Sequence, residues 1–256
     1  MRLIDQYAYS TRSRMVDPAH KLVLSLSVIV LCLVLDRPLV GFVAALGMWI
    51  LANRWAGTPA RVFGGVLAAE AMFLVTAVVG VAISVGAAPP AGSWWGTMVG
   101  PWWVGTTQSS VDLAARLVAR ALGGAAAMNF LALTTPLVDL MEVMRRLRVP
   151  PVLVDLMVVM YRFTFTLLDS LARMHTAQES RLGYASFQRG MVSAGLLAGG
   201  LFADACRRTA RVQTALESRC YDVDLRVLPL TYRRDLTLLV AGTALVAAQL
   251  VVWRLA

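Results

Sequence analysis

Five stretches of this chain are too apolar and too long to be left in water: residues 21–35, 38–52, 62–85, 111–133 and 236–252. A helix that crosses a bilayer needs about 20 mostly apolar residues, and these runs approach or exceed that length. Inside hydrocarbon each backbone polar group must be paired within the protein, which an α-helix does on its own. The first two runs are short, which tilt or a thin patch of bilayer accommodates, and only Asp36-Arg37 separates them. Composition agrees: 58% of residues are hydrophobic, against about 45–50% in soluble domains. The expected class is all-α and polytopic, with about five transmembrane helices. Residues 1–135 would hold four spans, 136–235 a cytoplasmic domain of long amphipathic helices, and 236–256 the last span.

Charge orients the spans. The net charge is +9, and Lys21 is the only lysine. On a soluble protein such an excess would suggest nucleic acid; here it points to loops facing anionic lipid, with no nucleic-acid partner. Arg2, Arg12, Arg14 and Lys21 precede the first span, Arg54 and Arg61 follow the second, and Arg145, Arg146 and Arg148 follow the fourth. By the positive-inside rule these ends are cytoplasmic, giving N-inside and C-outside. Residues 71–111 carry no charge, so the connection holding Trp94, Trp95, Trp102 and Trp103 faces outward, as an interfacial aromatic belt with Gly/Pro turns. The polar N-terminus does not read as a cleavable signal, so the first span would serve for insertion. Glu70 lies deep in an apolar run and is expected to pair within the bundle. Arg116 and Arg120, one turn apart, either snorkel outward or meet a partner inside the membrane.

Residues 136–235 behave differently. A short amphipathic helix, 137–147, stops before Pro150-Pro151, and proline at a first turn opens the next helix. Hydropathy alone would make 152–171 another span. Asp155, Arg162 and Asp169 recur every seven residues, however, with Arg173 a turn on, opposite Leu156, Met160, Phe163, Leu167, Leu171 and Met174. That pattern predicts an amphipathic helix, half in the interface, with its charged stripe toward water or a partner. A second helix, roughly 191–220, carries Leu201, Ala205, Val212 and Leu216 on one stripe and Arg207, Arg208, Arg211 and Arg219 as charge. Both helices close on the same tripeptide: Glu179-Ser180-Arg181 before Leu182-Gly183, and Glu217-Ser218-Arg219 before Cys220. A cation at a helix C-terminus gains about 0.3–1 kcal/mol from the macrodipole, which accounts for one such arginine and not for repetition of the unit. An arginine fork aimed out from a rigid rod suits a carboxylate-lined groove, and two similar tips suggest two similar grooves.

Several chemistries lack their residues. No GxxxxGK[ST] loop is present, so the chain has no Walker A site for ATP. No HExxH, GxSxG or intramembrane carboxylate pair appears. Cys32, Cys206 and Cys220 are scattered, and His20 and His175 are isolated, so no metal site, bound cofactor or catalytic set is expected.

Together these features resemble the transmembrane (T) component of energy-coupling factor transporters. In that family a short motif, typically Ala-Arg-Gly, ends each of two cytoplasmic coupling helices, and each arginine docks on one ATP-binding-cassette subunit. Here Ser180-Arg181-Leu182 and Ser218-Arg219-Cys220 occupy those places, with serine for alanine and leucine (Gly183 next) or cysteine for glycine. The cobalt branch, CbiQ, is similar in further stretches: Asp5, Tyr7 and Ala8; Asp17-Pro18 with Lys21-Leu22; Arg181 to Tyr184; Tyr221-Asp222; and the threonine-rich "LTTPLVDLMEVMRRLRVP". The resemblance implies a non-catalytic subunit of an importer for cobalt ion in the cell inner membrane. It implies Glu179, Ser180, Arg181, Leu182, Gly183, Glu217, Ser218, Arg219 and Cys220 as ATPase-docking residues. Two CbiO-like ATPases would use ATP and Mg, beside a CbiM-like capture subunit and a small CbiN-like subunit. A T component for nickel or a vitamin, or an independent secondary transporter, are the alternatives.

Overall fold

The computed structural model describes residues 7–9, 11–86, 93–99, 102–220, 232–233 and 235–255. Arg2, Asp5, Tyr221 and Asp222 lie outside them. The elements are α1 (Pro18–Val34), α2 (Pro38–Arg54), α3 (Ala60–Ala82), β1 (Ile83–Gly86), β2 (Ser93–Val99), β3 (Trp102–Thr107), α4 (Gln108–Thr134), α5 (Leu137–Arg146), α6 (Pro151–Glu179), α7 (Phe187–Glu217) and α8 (Leu236–Leu255). Local chemistry sets the starts. Proline opens α1, α2 and α6, where its missing N–H costs nothing. Asp17, Thr107 and Ser186 cap α1, α4 and α7 by accepting from the backbone of Ala19, Ser110 and Arg189.

The architecture is all-α, as expected. α3, α4, α6 and α8 are each long and apolar enough to cross a membrane, while α1 and α2 are apolar helices of 17 residues. The chain is a multi-pass membrane protein. It divides into two compact units, Met1–Leu140 with Leu230–Ala256, and Met141–Pro229.

In the first unit α4 is the central helix, packed against α1, α2 and α3, with α8 on α1 and α2. Val28, Met48, Ala52, Phe63, Ala126, Phe130 and Leu238 form its interior. Small residues let α2 and α4 touch backbone to backbone. A Cβ built on Gly41 would stand 2.0 Å from the Ala119 carbonyl oxygen, and one on Gly123 would stand 3.0 Å from that of Gly41. Glu70 pairs as expected, its carboxylate accepting from Asn129 Nδ2 at 2.8 Å. Arg116 and Arg120 both meet Asp36 in the α1–α2 turn, at 3.3 and 2.8 Å.

Three features depart from expectation. α3 stops at Ala82, three residues short of the predicted span, because the chain enters a small antiparallel sheet of order β1-β3-β2. The four tryptophans of this connection therefore lie in strands, favoured by their Trp, Thr and Val content, while its Pro89, Pro90, Gly100 and Pro101 lie outside the described residues. Lys21, grouped above with the lipid-facing cations, is 1% exposed, and its Nζ donates to the carbonyls of Ser13 and Thr134 at 2.7 and 2.9 Å. The charged stripe of α6 does not simply face outward. Asp155 is buried against Arg145 at 2.6 Å, while Leu156, Met160 and Leu171 on the opposite side are exposed.

Candidate functional site

α6 and α7 run antiparallel. Gln178 Nε2 donates to the Ser193 carbonyl, Met174 touches the Gly200 position, and Ser170 Oγ donates to Asp204 at 3.0 Å. The crossing is locked by charge. Arg208 Nε donates to Asp204 Oδ2 at 2.9 Å, and Arg173 and Arg208 each donate to the buried Ser170 hydroxyl. Hydrogen bonds from Arg208 and then Ser170 hold the Asp204 carboxyl below its ordinary range. These contacts make one rod pair out of two separately amphipathic helices.

The Glu-Ser-Arg units close the two rods with the same backbone turn. At the first, Ser180 N donates to the Thr176 carbonyl, Arg181 N to Gln178, Leu182 N to Glu179, and Gly183 N back to Gln178 at 2.9 Å. That is a Schellman cap with Leu182 as its left-handed residue, at φ +58°. At the second, Ser218 N donates to Thr214, Arg219 N to Leu216 and Cys220 N to Glu217, with Cys220 at φ +51°. The serine hydroxyls repeat as well: Ser180 donates to Ala177 and Ser218 to Ala215. So do the preceding threonines, Thr176 to Ala172 and Thr214 to Ala210. The repeated unit is thus Thr-Ala-x-Glu-Ser-Arg, longer than the tripeptide first read. Laying the two helix ends side by side would have found it.

The cap fixes what each tip presents. Arginine sits at the last position before the chain reverses, so its side chain projects beyond the rod. Arg181 and Arg219 are exposed, and among the described residues neither guanidinium has a hydrogen bond or ion pair. Their glutamates are occupied on the same helix, Glu179 by His175 at 3.6 Å and Glu217 by Gln213 at 2.9 Å. α7, 31 residues long, separates the two arginines by about 46 Å at 1.5 Å per residue. The first tip is braced: Tyr184 stacks on His175 and donates to Gln178, and Ser193 Oγ donates to the Gly183 carbonyl. A Cβ on Gly183 would meet that Oγ at 2.7 Å. At the second tip the matching positions, Tyr221 and Asp222, fall outside the described residues.

The position where the resembled motif carries glycine is the left-handed one. Leucine and cysteine hold it here at a cost of about 1–2 kcal/mol each. Leu182 is 68% exposed and buries little. Leu182→Gly should therefore stabilise the α6 end by about 0.5 kcal/mol after the added chain entropy of glycine, whereas Leu182→Val should weaken it. Hydrogen exchange of the 178–183 amides in the two variants, moving in opposite directions, checks this.

Among the described residues no cluster of His, Cys, Asp or Glu could hold a metal ion. Fold and tips together define a polytopic helical membrane protein that ends two long amphipathic rods in matched cationic caps. Its family is set by comparison: the chain belongs to the cobalt transport protein family CbiQ, whose model matches residues 10–228. The cobalt transport protein CbiQ of Salmonella typhimurium is 30% identical over 233 residues, covering 88% of this chain and 99% of that protein. An uncharacterized protein, MJ1089, of Methanocaldococcus jannaschii is 30% identical over 226 residues, covering 88% and 83%. A putative fused cobalt transport protein, CbiMQ, of Methanocorpusculum labreanum is 27% identical over 220 residues, covering 86% of this chain and 36% of that protein. The resemblance to the cobalt branch of T components is borne out, and the chain is a membrane component of cobalt transport.

Proposed function

We propose that this chain is the coupling subunit of an ATP-driven importer of cobalt ion. It carries the motion of two CbiO-like ATPases, which bind the ATP and Mg, to a CbiM-like capture subunit beside a small CbiN-like one. Residues 136–235 form the cytoplasmic coupling domain, the N-terminus is also cytoplasmic, and the chain itself performs no catalysis. The observation that carries this reading is the pair of arginine caps that close α6 and α7 with the same turn and whose guanidinium groups, among the described residues, are unpaired. Each is a fork with five N–H donors, set at a helix end that closes on a left-handed residue and ready to meet a carboxylate groove. A rod about 46 Å long, locked at Ser170, Asp204 and Arg208, keeps the tips at constant separation. Approach and parting of two ATPases would then move the rods rather than bend them. The fused CbiMQ relative supports a CbiM-like neighbour.

The test is charge reversal at both tips. Arg181→Glu with Arg219→Glu should remove both ATPases from the purified complex, and each single change should weaken retention by at least tenfold. Helix content and elution of the membrane subunit should stay as in the parent. Undiminished co-purification with the double variant would defeat the docking role.

A further inference from the structure

Between α6 and α7, beginning at Arg208 of the Asp204 lock, lies a crevice of about 420 Å³ lined by Val159, Arg162, Phe163, Thr166, Arg208, Arg211 and Val212. Its chemistry is two-sided. Three guanidinium groups meet three apolar side chains in one concavity. Arg208 is committed to Asp204 and Ser170. Arg162 and Arg211 are exposed and, among the described residues, their guanidinium groups have no ion pair or hydrogen bond. No carboxylate lines the crevice. Two free cations over an apolar floor call for a ligand with an anionic head and an apolar tail.

The surface continues in the direction such a tail would take. Val152 and Leu156 lie on the same side of α6 as Val159 and Phe163, by the i, i+4, i+7, i+11 spacing of one helix face. They are 56% and 53% exposed. α6 also has the length and hydropathy of a membrane span, yet only 11% of its apolar window is buried inside the protein. An apolar strip of this kind is costly in water, and a basic amphipathic face lying on a bilayer removes that cost. We propose that the crevice binds the headgroup of an anionic phospholipid, with Arg162 and Arg211 holding the phosphate and the Val152–Leu156–Val159–Phe163 strip taking an acyl chain. The coupling role needs no lipid site, so this assignment goes beyond it.

The experiment uses the full-length chain in detergent, and the Arg162→Gln/Arg211→Gln double variant, which leaves Arg208 and the lock intact. Native mass spectrometry is run after addition of phosphatidylglycerol, of phosphatidylcholine with the same tails, or of inorganic phosphate. The parent should retain phosphatidylglycerol at least tenfold better than phosphatidylcholine, and the double variant should lose that preference. Inorganic phosphate at millimolar concentration should not compete. Equal retention of the two lipids, or an unchanged preference in the variant, would overturn the proposal. Full competition by phosphate would make it a free-anion site instead, against the proposal. The variant keeps Arg181 and Arg219, so its ATPase co-purification should equal the parent's. Loss of the ATPases would assign the crevice to protein docking rather than lipid.

Discussion

Gly41→Leu should leave almost no correctly assembled protein, and Gly41→Ala should lower the melting temperature in detergent by roughly 6–12 °C, about 3 kcal/mol at this chain length. The reason is geometric. A Cβ at position 41 would lie 2.0 Å from the Ala119 carbonyl oxygen and 2.3 Å from its carbon. Those are backbone atoms of the central helix, and no rotamer change moves them aside. The clash can be relieved only by separating α2 from α4. The same contact is lined by Gly123, whose own Cβ would meet Cys32 Sγ at 2.8 Å and the Gly41 carbonyl at 3.0 Å. Moving α2 outward therefore opens the interior around Cys32, Ala44 and Met48, which are fully or almost fully buried. In lipid the loss is not offset by water leaving apolar surface, since packing itself drives helix association there. Gly65→Ala is the control. Nothing lies within 4 Å of that position, so alanine should be neutral or mildly stabilising through helix propensity. Equal melting temperatures for Gly41→Ala and Gly65→Ala would refute the backbone contact.

Hydropathy and end signals located the helices well because both are local. Pro18, Pro38 and Pro151 stand at first turns, and the repeated Glu-Ser-Arg marks both rod ends. Pairing across the fold was less legible. Asp36 meets Arg116 and Arg120 from 80 and 84 residues away, and only packing of α1 and α2 on α4 brings them together. The small sheet was hidden by its Gly and Trp content, which reads as turns until β3 supplies partners on both sides. Periodicity divided α6 into a polar and an apolar side but could not say which one packs. In a soluble helix the apolar side goes inward; here Asp155 and Ser170 are buried while Leu156 and Met160 are exposed. The usual rule inverts because the surroundings of this surface need not be water. At the tips, Arg181 and Arg219 were legible from repetition alone. The left-handed turn that aims them was less so, since leucine and cysteine give no glycine signal.

Lys21→Met should cost the first unit about 3–5 kcal/mol, and Lys21→Arg should recover less than half of that. The ammonium is 1% exposed and stands between the Ser13 carbonyl at 2.7 Å and the Thr134 carbonyl at 2.9 Å. A hydrogen bond from a charged donor contributes about 1.5–3 kcal/mol, and removing it here takes the ammonium from the Thr134 carbonyl and leaves the Ser13 carbonyl with the Val16 N–H alone. Thr134 closes α4, so the cation also faces the negative end of the longest helix in that unit. Through this contact the 3-10 turn at Arg12–Met15 is tied to the α4 terminus, reinforced by Thr11, whose hydroxyl donates to the Leu133 carbonyl at 3.3 Å. The indole of Trp55 lies 5.9 Å from the ammonium and is held by Asp235 and Thr237 at the start of α8. Loss of the ammonium should therefore loosen α1, α4 and α8 together rather than fray one turn. Arginine is a poor replacement because its planar fork cannot point two donors at carbonyls on either side of a closed site. Of 24 basic residues this is the one that is not arginine, and it stands where only a compact, freely rotating donor fits. Thermal unfolding of Lys21→Met and Lys21→Arg against Arg54→Met, an exposed cation nearby, measures the difference. If Lys21→Arg melts with the parent, the two carbonyl contacts do not hold the N-terminal turn to α4.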